Sequence, residues 1–128
     1  MTVLDTHVWL WWITGDPRLS DAAHAAIVGD PDRCVATISI WEVTTLERRG
    51  RLRLLPDRRS WVARALGGSG VTAIALSPRI AATGGALPDS FPGDPADRIV
   101  YATALEGGHQ LVTKDRRMRR HDPVRVIW

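Results

Sequence analysis

The sequence has one cysteine, Cys34, in 128 residues. That excludes an intramolecular disulfide and a zinc site built on several thiolates. A reducing compartment, the cytoplasm, is expected. Long apolar runs are missing too: Val8–Ile13 is far too short to span a bilayer. Met1–Asp5 has no basic segment ahead of an apolar stretch and no cleavage signature, so no secretory leader is expected. Repeats, low-complexity tracts and linkers are absent, and the length suits one domain, residues 1–128, with a true hydrophobic core. Lysine is nearly absent. Lys114 stands beside 16 arginines, and the formal net charge is +3. Arginine takes phosphate oxygens in pairs, so this bias is compatible with a nucleic-acid substrate, although coding bias would leave the same composition.

What the chain does have is a set of acids at the ends of its expected elements. Thr2–Asp5 reads as a short buried strand ending on a carboxylate. A helix follows from Thr6 to Ile13, broken by Gly15-Asp16-Pro17. Ser20 caps the next helix, to about Val28. Cys34–Thr37 reads as a second strand, and Ser39 as the cap of a helix through about Arg49. Glu42 then falls three residues after Ser39, the spacing of a capping box. Asp57–Leu66 is expected to be helical, Val71–Leu76 a strand, and Ser77-Pro78 the start of a helix to about Thr83. Asp94-Pro95-Ala96-Asp97 opens a further helix that ends at Gly107-Gly108. Asp94 suits the N-cap, Pro95 the first helical position, and Asp97 the positive end of the helix dipole. Gln110–Thr113 is a strand leading to Asp115, then a basic turn, Arg116–Arg120, and a last strand within Val124–Trp128.

Strands alternating with helices argue for an α/β three-layer sandwich around a central, mainly parallel sheet. In such sheets reactive groups gather beyond the carboxyl ends of the strands. Asp5 and Asp115 lie there, and Glu42 and Asp97 lie on first turns of helices reached from those ends. Four carboxylates converging on one cleft would repel by roughly 4 kcal/mol per pair at 4 Å and an effective dielectric of 20. A bound cation or an added proton relieves that. With only oxygen donors offered, Mg²⁺ or Mn²⁺ is the matching ion. Thr6 and Thr113 are placed to orient the acids or a water. Arg48, Arg49, Arg51, Arg98, Arg116 and Arg117 are the cations expected to hold an RNA backbone, with a plain solvated face as the competing reading.

Four segments carry a resemblance: Val3-Leu4-Asp5-Thr6-His7-Val8, Ser39-Ile40-Trp41-Glu42-Val43, Asp94-Pro95-Ala96-Asp97-Arg98 and Val112-Thr113-Lys114-Asp115. In this order and spacing the chain resembles the PIN-domain family, and more narrowly the VapC-type toxins of bacterial toxin–antitoxin pairs. Leu54–Pro92 contributes little beyond length. The resemblance implies a metal-dependent endoribonuclease, the toxin of a type II pair, with Asp5, Glu42, Asp97 and Asp115 as catalytic and metal-holding acids and Asp94 as an accessory acid. Where many relatives carry His-Arg before the Asp-Pro pair and Phe within it, this chain has Pro92-Gly93 and Ala96. The resemblance also implies an RNA substrate, a cognate antitoxin and a homodimer. A non-catalytic RNA- or partner-binding domain on the same scaffold is the alternative. A receiver domain would need an acceptor aspartate ending a central strand, which Val71–Ser77 does not supply, and a haloacid-dehalogenase-like phosphatase needs Asp-x-Asp where Asp5-Thr6-His7 stands. His7 and His109 read as packing residues rather than acid–base groups, and Cys34 as core.

Trp9, Trp11 and Trp12 fall within four positions of one helix. One helix buries one stripe, so at least one ring is expected at the surface or in an interface. Trp11 or its neighbours are the expected contact, on an apolar groove; the loop before the next helix folding over the third ring is the competing reading.

Overall fold

The computed structural model describes residues 1–128. Five short strands, β1 (Thr2–Leu4), β2 (Arg33–Ala36), β3 (Val71–Ile74), β4 (Gln110–Val112) and β5 (Val126–Ile127), form one sheet in the order β3-β2-β1-β4-β5. Every pairing is parallel. Seven helices connect them: α1 (Thr6–Thr14), α2 (Asp21–Gly29), α3 (Thr37–Arg48), α4 (Arg58–Ala65), α5 (Pro78–Ala86), α6 (Pro95–Gly107) and α7 (Arg116–His121).

The central strands are apolar at nearly every buried position because both faces are covered; the exception is Thr2, whose hydroxyl donates to Asp30. Alternation sends Leu4, Val35, Val71 and Val112 to one core, where they meet Val8 and Trp9 of α1, Ile27 of α2, Val43 of α3 and Ala65 of α4. Val3, Cys34, Ala36, Leu111 and Val126 point to the other, against Val100 and Tyr101 of α6 and Met118 of α7. This is the expected three-layer sandwich. Complete burial of side chains such as Leu4, Val35 and Leu111 contributes roughly 1.5–3 kcal/mol each. Helix α5 lies on α6 at close range: a Cβ on Gly84 would come 3.3 Å from the Arg98 carbonyl oxygen, so only glycine fits that approach without a shift. Gly108, at φ 66°, closes α6 in the left-handed conformation that glycine adopts without penalty.

The chain builds outward from β1 through β2 to β3, then returns to the other side of β1 as β4. The switch in direction falls between β1 and β4, and a crevice opens beyond their carboxyl ends.

Three local expectations are corrected, and a fourth, on the tryptophans of α1, is narrowed. Ser39 does not cap α3 and no capping box forms. Strand β2 runs straight into the helix, which starts at Thr37 with Ala36 as an N-cap without a side-chain bond, and Ser39 is buried. Helix α5 runs to Ala86, beyond Thr83, because Gly84 lets its end pack on α6. Arg116–Arg120 is not a turn but most of α7, capped by Asp115. Trp11 is buried by its own chain: Trp128 lies 5.9 Å from its ring, and the Arg18 guanidinium, from the loop before α2, sits 5.1 Å above it. Its neighbour Trp12 stays half-buried, and the ring left largely in solvent is Trp41.

Candidate active site

Asp5 leaves β1 as the N-cap of α1, and three bonds hold it. Its N–H donates to the Val112 carbonyl (3.0 Å), the Thr6 N–H donates to Oδ1 (2.8 Å), and the Thr113 hydroxyl donates to Oδ2 (2.6 Å). Thr113 Oγ1 in turn accepts from the Asp115 N–H at 3.1 Å. One relay thus couples the ends of β1 and β4, as the parallel register of these strands requires. Burial pushes the Asp5 carboxyl above its ordinary value, against the hydrogen bonds from Thr113 and Thr6 and the nearby His7; Asp115 adds to the rise.

Glu42 lies on α3 facing α1. The Thr6 hydroxyl donates to Glu42 Oε1 and lies 2.8 Å from Ser39 Oγ. A hydroxyl has one proton, so Ser39 is the donor in the second contact and all three groups are satisfied. Burial first, then Asp5 and Asp94, raises the Glu42 carboxyl, opposed by the Thr6 bond. Asp94 caps α6, accepting from the Ala96 N–H at 2.8 Å.

Asp97 differs from the others. It is half-buried on the first turn of α6, and no hydrogen bond holds its carboxylate. Burial, then Asp5, Asp94, Glu42 and Asp115 in that order, pushes it up to about 7. All five acids therefore share one electrostatic field. None of the five is in an ion pair with a cation of the chain.

They line two adjoining clefts. Asp5, Asp97, Thr113 and Asp115 face one of about 610 Å³, together with Lys114, Arg116 and Arg117. Thr6, Glu42 and Asp94 face the other, of about 440 Å³, with Trp41 and Arg49. His7 lines both. As the side chains stand, no three His, Cys, Asp or Glu are arranged to hold one metal ion together. The acids share one electrostatic field, while a shared coordination sphere is not preformed.

Among the arginines, Arg48, Arg49, Arg51, Arg116 and Arg117 are exposed, and Arg49, Arg116 and Arg117 line these clefts. Arg98 stands apart from these: its guanidinium donates to the carbonyls of Gly84 (3.0 Å), Pro92 (3.2 Å) and Leu87, so three of its N–H groups fasten the α5–α6 connection. His7 and Lys114 were not expected to line the clefts. Their sequence signal is weak: each is next to or two residues from an acid at a strand end, a position that faces the crevice.

A PIN domain model matches residues 2–123. The chain is 46% identical over 128 residues to Ribonuclease VapC22 of Mycobacterium tuberculosis, covering 98% of this chain and 97% of that protein. The chain belongs to the PIN-domain family. Among solved structures this PIN domain is similar to a toxin-antitoxin complex from Klebsiella pneumoniae, with TM-score 0.70, 21% identity, and 100% and 97% of the two chains covered. It is likewise similar to VapBC2 from Rickettsia felis bound to a DNA fragment from their promoter, with TM-score 0.70, 14% identity, and 98% and 96% covered. At these identities the likeness bears on the fold. No helix of this PIN domain is long and apolar enough to cross a membrane.

Proposed function

We propose that this chain is a metal-dependent endoribonuclease that serves as the toxin of a toxin–antitoxin pair and acts in the cytoplasm. The observation that carries the reading is a cluster of five acids with no cationic partner, beyond the carboxyl ends of β1 and β4, in a chain 46% identical to a named ribonuclease. The acidic site fits Mg²⁺ or Mn²⁺ in two respects: every donor is a carboxylate oxygen, and the shared field holds Asp97 at about 7, which a cation would relieve. Asp5, Glu42, Asp97 and Asp115 would hold the ion. When bound, it supplies an activated water and neutralises charge on the phosphodiester.

The chain's own residues do the rest. The Thr6 N–H and Thr113 hydroxyl fix both oxygens of Asp5, and the Thr6 hydroxyl fixes Glu42. Asp94 sets the start of α6 and so the position of Asp97. Arg116 and Arg117 on one side and Arg48, Arg49 and Arg51 on the other supply phosphate contacts along an RNA strand crossing both clefts. The antitoxin is proposed to lie in the groove of about 460 Å³ formed by Trp12, Ile13, Trp61 and Ala65 with Arg64 and Ser69 at its edge, and the toxin to be a homodimer.

The test is RNA cleavage with and without Mg²⁺ or Mn²⁺. Wild-type protein is expected to cut only with the ion, and Asp5→Asn not to cut. Wild-type protein that binds RNA but never cuts it would make this a binding domain on the same scaffold.

A further inference from the structure

Trp41 is 60% exposed, and it is the one tryptophan of six whose ring is left largely in solvent. It directly precedes Glu42 on α3. One residue step turns about 100° around a helix, so Glu42 faces Thr6 while the indole stands at the rim. The cleft that holds Glu42 and Asp94 is walled by this ring together with Ile38, Thr45 and Arg49. Trp41, Thr45 and Arg49 are spaced four residues apart and form one stripe, about 12 Å long, along that side of α3. The stripe reads aromatic plane, hydroxyl, guanidinium.

We propose that Trp41 is a stacking platform for a nucleobase of the substrate RNA beside the acidic site, with Arg49 taking a phosphate of the same strand. This rests on the ribonuclease reading above. Two features select a base over an apolar side chain of a protein partner. The first is the mixed lining of the cleft: apolar surface from Trp41, Ile38, Leu46 and Pro95 is edged by Thr45, Glu42, Asp94 and Arg49, which suits a ligand with an aromatic face and polar edges. The second is charge. Arg48, Arg49, Arg51 and Arg53 are all exposed at the end of α3 and just beyond it, which is the complement of a phosphate backbone. Position adds to these, because His7 lines this cleft and also the cleft of Asp5, Asp97 and Asp115. A strand that crosses from one cleft to the other would run over the indole. Stacking on an exposed indole is tolerant of sequence, since every base has a π face.

The test uses two probes on the full chain: a single-stranded RNA of about ten nucleotides and mixed sequence, and an abasic oligomer with the same number of phosphates. Both are titrated in chelator, so that binding is read without cleavage. Trp41→Ala is expected to weaken the mixed RNA by about 5- to 150-fold, the loss for one stacked base. It should leave the abasic oligomer unchanged, and Trp41→Phe should retain most of the affinity. Mixed RNA should quench the wild-type tryptophan fluorescence, and Trp41→Phe should abolish that quenching. Arg49→Gln is expected to weaken both probes alike and to flatten the salt dependence. If Trp41→Ala binds mixed RNA as wild type does while Arg49→Gln is impaired, the ring is no platform and the ribonuclease reading survives. Equal loss of both probes in Trp41→Ala, or a dimer that falls apart by light scattering with RNA affinity intact, overturns the proposal in favour of a structural or protein contact. A wild-type protein that binds neither probe removes the parent reading and this one with it.

Discussion

The two halves of the acidic site are built differently. On the strand-end side, Asp5 is buried but held by the Thr6 N–H and the Thr113 hydroxyl, and Asp115 accepts from the N–H groups of Arg117 and Met118. On the helix-start side, Asp97 has no donor at all and is pushed up to about 7 by burial and by its four acidic neighbours. A carboxylate that accepts well-aimed hydrogen bonds can be buried as part of the scaffold. A carboxylate left without them, in the field of its neighbours, is where a cation or a proton has most to gain. Asp5 and Asp115 fix geometry, and Asp97 keeps its charge unrelieved.

The sharpest way to break this comparison is to remove a charge from each half. Asp5→Asn and Asp97→Asn should each reduce Mg²⁺-dependent RNA cleavage to the level of metal-free protein, with the circular dichroism of the fold unchanged. Full activity in either variant takes that residue out of the site. A smaller effect is expected from Thr113→Val, which keeps the shape and deletes the hydroxyl that fixes Asp5 Oδ2. Loss of such an outer partner costs about 10- to 100-fold in activity or metal affinity. An unaltered rate would mean that the Asp5 rotamer is set elsewhere.

The halves should also differ in pH dependence without metal. Asp97 has an ordinary value of 3.8 and a folded value of about 7. Between these values the folded protein binds the extra proton, so stability falls with rising pH. The contribution is complete below about pH 4 and is lost as pH rises through about 7. Asp97→Asn should remove this decline, so that in urea titrations the variant gains on wild type as pH rises from 4 to 7. Parallel pH profiles for the two proteins would show that the Asp97 charge costs the fold nothing. The smallest effect concerns the arginines. Arg117→Gln should weaken RNA binding modestly and lower the slope of affinity against salt by about one counterion's worth. An unchanged slope would assign Arg117 to solvated surface.

Much of this site is legible in the sequence because its acids lie at element ends. Asp94-Pro95-Ala96-Asp97 announces a helix start through local chemistry alone, and the structure has Asp94 as N-cap with Pro95 first in the helix. The parallel sheet follows from short apolar runs separated by helices. Ser39 and Glu42 misled for an equally local reason. Their spacing satisfies a capping box, yet Thr6, 33 residues away from Ser39, recruits both side chains. A tertiary bond of that kind leaves no mark in the nearby sequence. Arg98 sits next to Asp97 in the chain, but helical geometry turns it toward Gly84, Leu87 and Pro92. Of the tryptophans, Trp11 is covered by residues as distant as Trp128, while the exposed Trp41 stands on a different helix. Cover supplied by the far end of the chain is not readable from helical periodicity.

The central claim, that unrelieved charge at Asp97 marks a cation site completed by Asp5, is tested most directly by the thermal midpoint of the full chain with and without Mn²⁺ at pH 7.5, in wild type and in Asp97→Asn. Binding to the folded state alone stabilises by about 2.7 kcal/mol at a hundredfold excess over the dissociation constant. The account predicts a clear rise of the wild-type midpoint with Mn²⁺ and little or none in Asp97→Asn. An unmoved wild-type midpoint, or an equal rise in both proteins, would contradict it.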